Sequence, residues 1–204
     1  MKHGFLQKAY EARSADETRA LYDEWSATYE EEIRDQGYAT PGRCAAALAK
    51  FAPDQTLPIL DFGCGTGLSG LSLKLAGFAT IDGVDISPDM LAKAEAKRLY
   101  RDLRIVEPGE NLAPICRNYS AVAAIGVIGA GSAPPTVIDG ILSGLPREGL
   151  FVMSFNDHAL ADKANTGRLN EWLDCGAARC LFREHGPHLP GIGLNSTVYV
   201  IQKN

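Results

Sequence analysis

The sequence predicts an α/β protein built on one seven-stranded, mostly parallel sheet with an antiparallel last strand and helices on both faces. Three observations predict it. The apolar run Ile59-Leu60-Asp61-Phe62 breaks into Gly63-Cys64-Gly65-Thr66-Gly67 and is followed by a helical stretch from Leu68 to Ala76. Apolar runs then alternate with helical segments along the chain, the pattern of a parallel, doubly wound sheet. The last two strands have no room between them for a crossover helix, so they pair antiparallel. A chain of 204 residues suffices for one such domain with a substantial core and is too short for two ordinary ones.

The elements follow in order. A helical lead-in carries Leu21, Trp25, Tyr29 and Ile33, four residues apart and therefore on one helix face, with Glu24, Glu30, Glu31 and Glu32 opposite. A second helix opens at Thr40-Pro41 and is expected to run to Phe51, and Pro53 to Pro58 is a linker. Residues 1–52 thus form a helical lead-in, and 53–204 the body. Strands are expected at 58–62, 79–85, 103–107 and 121–128, the last nearly continuous in apolar residues, as a strand buried on both faces requires. A helix over 135–145, a strand over 150–155 and a helix over 162–175 come next. The chain closes with a strand at 179–183, a Gly/Pro-rich loop at 186–193 and a strand at 197–202.

The glycine turn says what the body binds. Strand, glycine turn and helix bring a backbone close to a ligand and aim helix N–H groups at it. A dinucleotide fingerprint wants glycines at its first, third and sixth positions. Here those positions are Gly63, Gly65 and Leu68, and the third glycine is instead Gly67, with Asp61 two residues ahead of the turn. The next strand ends in Asp85, twenty residues after Gly65, where a carboxylate can accept both hydroxyls of a ribose. Ile86-Ser87-Pro88 follows, with Ser87 suited to an N-cap and Pro88 to the first helical position.

This Gly-x-Gly-x-Gly turn, linked to Val84-Asp85-Ile86-Ser87-Pro88-Asp89-Met90-Leu91, resembles motif I and its partner in class I S-adenosylmethionine-dependent methyltransferases. Tyr22 to Glu32, Gly37-Tyr38, Tyr100-Arg101-Asp102-Leu103 and a Pro-Pro loop after the fourth strand are similar to the methyltransferase-like family of the Williams–Beuren syndrome region, over roughly Leu21 to Phe155. The resemblance implies the Rossmann-like class I methyltransferase fold, with S-adenosyl-L-methionine as cofactor and S-adenosyl-L-homocysteine as product. It implies that Gly63, Cys64, Gly65 and Gly67 cradle the methionine part and that Asp61 reaches its ammonium through water. Asp85 would hold the ribose, and Ile86 and Met90 would pack on the adenine. Glu107, with Glu110 as the alternative, would accept the adenine amino hydrogen, and the backbone of Gly126 would touch the methionine end. Tyr29 is expected at the cofactor, and Tyr22 and Trp25 as walls of the acceptor site, on a lead-in that closes as a lid.

The expected substrate is a small-molecule O, N or S nucleophile. Methyltransferases acting on amino groups or nucleobases often carry Asn/Asp-Pro-Pro-aromatic after the fourth strand; Gly129-Ala130-Gly131-Ser132 stands here instead. No acid/base pair stands out among His3, His158, His185 and His188, although His158 follows the fifth strand, where substrates sit in such sheets. A noncatalytic cofactor-binding or adaptor protein is therefore a second reading, and a nicotinamide-dependent reductase a third, opposed by Leu68. Net charge is −5, which disfavours a nucleic-acid partner, since phosphate binding needs a basic face. No apolar stretch is long enough to span a membrane, and Met1 to Tyr10 lacks a signal-peptide core. Cys44, Cys64, Cys116, Cys175 and Cys180 form no Cys-x-x-Cys pair, which points to reduced thiols in the cytoplasm and no metal site. The sequence leaves the oligomeric state open.

Overall fold

The protein is described from a computed structural model, over residues 15–25, 28–129 and 131–204. One seven-stranded sheet organises it, in the order β3-β2-β1-β4-β5-β7-β6. The strands are β1 (Ile59–Phe62), β2 (Ile81–Asp85), β3 (Asp102–Ile105), β4 (Ala121–Ala124), β5 (Leu150–Asn156), β6 (Ala178–Leu189) and β7 (Leu194–Lys203). Neighbours from β3 to β5 pair in parallel, and β7 lies antiparallel between β5 and β6. Chain order reverses direction across the sheet at β1 and β4, which opens a crevice beyond their carboxyl ends.

Alternation along the central strands fills two cores. Leu60, Val122, Phe151 and Met153 pack on one face against Ile138, Ile141 and Leu142 of the helix Val137–Gly144. Ile59, Ala121, Ala123 and Val152 pack on the other against Cys44, Ala47 and Leu48. Those three lie on the helix Thr40–Phe51. That helix was grouped by sequence with the lead-in, yet its buried face belongs to the core of the sheet.

Three expectations about the strands and their connections change. The fourth strand stops at Ala124 instead of Ile128, because Gly126 turns the chain at φ +71° and donates its N–H to Ser154 Oγ at 2.9 Å. Ile128 keeps only an isolated bridge to Ala133. The loop expected at 186–193 is mostly strand: β6 continues through Gly186 and Pro187 to Leu189, leaving the single turn Pro190–Ile192 before β7. β6 is an edge strand, where a missing N–H costs no ladder bond, and its register shifts between Pro187 and Leu189. A short helix, Asp157–Ala161, follows β5 under an Asn156 cap.

The lead-in divides into two helices, Ala15–Trp25 and Tyr29–Asp35. The expected stripe still coheres: Leu21, Trp25, Tyr29 and Ile33 pack in one cluster with Leu68, Leu189 and Leu194. Polar contacts tie the lead-in to the body. Arg19 pairs with Glu107 at 2.7 Å, Ser87 Oγ donates to Asp23, and Lys97 pairs with Glu30. His3, Ser26, Ala27 and Ala130 of the sequence reading lie outside the described residues.

Candidate active site

The glycine turn is held by the neighbouring strand. Gly63 and Cys64 donate their N–H groups to the Val84 carbonyl at 2.8 and 3.1 Å. Gly65 N–H donates to Asp85 Oδ2 at 2.8 Å, and Ser87 N–H donates to Asp85 Oδ1 at 2.9 Å. Ser87 Oγ in turn accepts from Met90 N–H and caps the helix Pro88–Ala96. Asp85 therefore fixes the turn, the end of β2 and the start of the next helix relative to one another. Burial raises its pKa, and the N–H donors of Ser87 and Gly65 pull it back.

The three glycines of the turn do different work. At Gly63 a Cβ would meet Val127 Cγ2 at 2.1 Å, so that position is set by packing. At Gly67 (φ +93°) a Cβ would meet Tyr100 at 3.3 Å, on the side of the helix Pro88–Ala96. At Gly65 (φ +52°) it would meet nothing within 4 Å. Only Gly65 therefore keeps its open side for a ligand.

A cavity of about 410 Å³ lies over this turn. Gly63, Gly65, Asp85, Ile86, Met90 and Glu107 line it, with Gly126 at one end and Thr18, Tyr22 and Tyr29 of the lead-in above. Asp61, Cys64 and Gly67 of the expected cradle do not line it. The Cys64 thiol is buried, with its pKa pushed well up by burial and by Asp61 and Asp85, so its backbone rather than its side chain belongs to the turn. Glu110 spends its carboxylate on the Glu107 N–H and on Arg104, at 3.0 and 3.1 Å. Among the described residues, Glu107 receives only the Arg19 contact, at 2.7 Å. Of the two glutamates, Glu107 is thus the one with acceptor capacity left for a base edge.

Asp61 sits on the core face of β1 with no exposed surface. Ser69 Oγ and Tyr100 Oη donate to its Oδ2 at 2.6 and 2.8 Å, while Oδ1 has no partner among the described residues. Burial raises its pKa to about 6. An orphaned buried carboxylate oxygen beside a glycine turn fits a cationic group such as an amino acid's ammonium. A folded pKa above the unfolded one gives stability that is full below about pH 4 and lost as pH rises through about 6. That shift corresponds to on the order of 3 kcal/mol. In urea titrations of the ligand-free protein at pH 4 and pH 7.5, Asp61→Asn is expected to remove most of this loss while weakening cofactor binding. A variant that keeps the wild-type pH dependence would acquit Asp61.

A second, smaller cavity adjoins the first and shares Tyr22, Tyr29, Gly126 and Ser132 with it. Trp25, Tyr38, His158 and His188 complete its walls, together with Ile33, Ile128, Leu189, Ser154 and Asn156. The rings interlock: Trp25 meets Tyr29 edge-on at 4.8 Å, and Tyr38 meets His188 at 5.2 Å. Among the described residues, no Asp, Glu, Lys or Arg lines this space. His188 Nδ1 lies 2.8 Å from Thr40 Oγ1. Burial brings its pKa down to about 4, against Asp157, with Arg43 and His158 adding to the depression. His185 lies outside both cavities, against Thr197 Oγ1 at 3.1 Å.

Of the residues expected at the site, Tyr22, Trp25 and His158, expected near the acceptor, and Tyr29, expected at the cofactor, line the second cavity; Tyr38 was not singled out. His188 was mentioned without being preferred. Gly37-Tyr38 was noted, yet its side chain reaches Gly126, where a Cβ would meet the Tyr38 hydroxyl at 2.3 Å.

Known proteins resemble this chain in sequence and in fold. A family described as "Methyltransferase domain" matches residues 59–128, the stretch from β1 to just past β4. Residues 59–128 are thus similar to a methyltransferase domain, and they carry the glycine turn at the centre of the seven-stranded, Rossmann-like fold. Among particular relatives, human methyltransferase-like protein 27 is 32% identical over 121 residues, 58% of this chain and 49% of that protein. The 18S rRNA (guanine(1575)-N(7))-methyltransferase of Saccharomyces cerevisiae is 39% identical over 70 residues, 34% of this chain and 26% of that protein. The chain spans about half or less of the length of these curated relatives. The crystal structure of the [4+2]-cyclase SpnF superposes with a TM-score of 0.68 at 16% identity, over 94% of this chain and 97% of that one. Magnesium protoporphyrin IX methyltransferase from Synechocystis PCC 6803 with bound SAH superposes with a TM-score of 0.63 at 17% identity, over 98% and 93%. At such identities these structures share the fold alone.

Proposed function

We propose that this chain is a methyltransferase that uses S-adenosyl-L-methionine to methylate an O, N or S nucleophile of a small molecule. The observation that carries this reading is the pair of joined cavities. One lies over the glycine turn and Asp85, and the other is an uncharged, aromatic-walled chamber reached past Tyr22, Tyr29, Gly126 and Ser132. The cofactor supplies a methyl group on a sulfonium, already a good leaving group. What the protein supplies is alignment and a dry site: Asp85 and the Gly65 backbone hold one reactant, and the aromatic walls orient the other. Placing the two within one enclosure supplies much of the rate without a base.

The chamber supports a small acceptor over RNA, because no Lys or Arg lines it among the described residues and the chain is acidic overall. The named activity of the yeast relative, on rRNA, makes RNA the comparison to include. Methyl transfer from labelled S-adenosyl-L-methionine to a panel of small alcohols, phenols, amines and thiols, run beside total RNA, tests the reading. Labelling of a small acceptor is expected. Labelling of RNA alone overturns the substrate class, and tight cofactor binding with no transfer favours the noncatalytic reading. The five free cysteines support the reducing, cytoplasmic setting expected from the sequence.

The lead-in is proposed to act as a lid. It roofs both cavities with Tyr22 and Tyr29; its apolar anchor is the small cluster of Trp25 and Ile33 with Leu189, and its ion pairs Arg19–Glu107 and Lys97–Glu30 are exposed or half-exposed, which are weak holdings. Segments of this kind open at low cost. Hydrogen exchange is expected to show weak protection over residues 18–40 without ligand and clear protection with S-adenosyl-L-homocysteine. Equal, strong protection in both states would make the lead-in fixed core.

A further inference from the structure

The second cavity contains a polar device that its aromatic walls conceal. Behind His188 runs a buried chain of side chains: His188 Nδ1 lies 2.8 Å from Thr40 Oγ1, which lies 2.9 Å from Ser196 Oγ, which receives Arg43 Nη1 at 3.1 Å. Thr40 and Ser196 are fully buried. Distances alone do not orient such a chain, since each hydroxyl can donate or accept. Its far end does. A guanidinium has only donors, so Ser196 Oγ accepts from Arg43. The single Ser196 proton then has Thr40 Oγ1 as its remaining partner among the described residues. Thr40 accepts there and gives its own proton to His188 Nδ1. A neutral imidazole that accepts at Nδ1 carries its hydrogen on Nε2. The opposite orientation would leave the Ser196 proton without an acceptor in a buried place, which costs free energy.

We propose that His188 is a hydrogen-bond donor and not a base, and that its Nε2–H selects an uncharged methyl acceptor bearing a carbonyl-type oxygen, held between the aromatic walls. This rests on the reading of the second cavity as the acceptor site. The surroundings agree with it. The ring lines the cavity edge-on to Tyr38. The titratable and charged groups about it are Arg43 behind the relay, His158, which lines the same cavity, and Asp157, whose Oδ2 is taken by the Asn195 N–H at 3.0 Å. Protonating Nδ1 would set two donors, the Thr40 hydroxyl and the new N–H, against each other on a relay that Arg43 holds in one direction. His188 therefore stays neutral and takes no proton from the acceptor. A carboxylate or phosphate would enter a chamber with no Lys or Arg among its described lining residues, whereas a ketone, aldehyde, amide or quinone oxygen needs one neutral donor and an apolar wall.

The test uses the full chain, labelled with ¹⁵N and saturated with S-adenosyl-L-homocysteine. Long-range ¹H–¹⁵N correlation, with His188 assigned through its backbone, reads the tautomer directly, and Nε2–H is expected near neutral pH. Acetophenone and α-methylstyrene, matched in shape and differing in a carbonyl oxygen against a methylene, are then titrated. Acetophenone is expected to bind about 2- to 10-fold more tightly, the worth of one neutral hydrogen bond, and to shift the His188 Nε2 signal. His188→Phe is expected to abolish the preference. An Nδ1–H tautomer in the wild type overturns the proposal, as does equal affinity for the two probes or binding of neither. These wild-type readings decide even if the variant does not fold. Calorimetry of the same sample with S-adenosyl-L-homocysteine separates the two levels: no cofactor binding overturns the proposed function, while cofactor binding with the wrong tautomer overturns only the role of His188.

Discussion

Replacing Gly65 by valine is expected to abolish binding of S-adenosyl-L-homocysteine while the protein stays folded. The two halves of that result have separate causes. The fold survives because a Cβ at Gly65 meets nothing within 4 Å. The remaining cost is backbone strain at φ +52°, roughly 1–2 kcal/mol for a side chain in the left-handed region. Binding fails because the empty space beside Gly65 is the cavity itself, and a branched side chain there displaces the ligand. Gly176→Val supplies the control. It has φ +74°, an open Cβ direction and no place in either cavity, so it carries a similar strain and is expected to leave binding unchanged. Circular dichroism checks the fold of both variants and calorimetry their affinity. A folded Gly65→Val protein with normal affinity would remove the glycine turn from the cofactor site. The same substitution at Gly63 is a poorer test, because the clash with Val127 confounds packing with binding.

The sequence made the sheet legible because its information is local. Val122 and Phe151 sit in unbroken apolar runs, and strands buried on both faces must read that way. Asp85 was legible for a similar reason, since it ends an apolar run just before a Ser-Pro helix start. The chain was harder to read at its edge. Gly186 and Pro187 carry a loop composition, yet they are strand, because β6 has no neighbour on its outer side to demand their N–H groups. That misplacement also hid His188, which comes at the end of β6 and meets Thr40, 148 residues away in sequence. No periodicity encodes a contact of that span. The direction of each glycine's missing side chain was likewise invisible. Gly63, Gly65 and Gly67 look equivalent as letters, and they face Val127, the cavity and Tyr100 respectively.

Asp85→Ala is expected to weaken cofactor binding about 10- to 100-fold, as calorimetry with S-adenosyl-L-homocysteine will read. Two losses add. A carboxylate that accepts from ribose hydroxyls contributes roughly 1.5–3 kcal/mol through charge-assisted hydrogen bonds. The structure adds a second, since the same carboxylate holds the Gly65 N–H at 2.8 Å and the Ser87 N–H at 2.9 Å. Without it the turn is no longer pinned to the end of β2, and the ligand must order what the protein had ordered in advance. Stability responds less, because burial disfavours the charge and its removal offsets part of the lost backbone bonding. Asp85→Asn tells the two losses apart. Its single carbonyl oxygen serves either Gly65 or Ser87 but not both, and it can still meet a ribose hydroxyl. An affinity between those of wild type and Asp85→Ala is therefore expected. If Asp85→Asn binds as weakly as the alanine variant, the charge itself is what the ribose requires, and if a folded Asp85→Ala binds normally, Asp85 contributes to cofactor binding neither through the ribose nor through the turn.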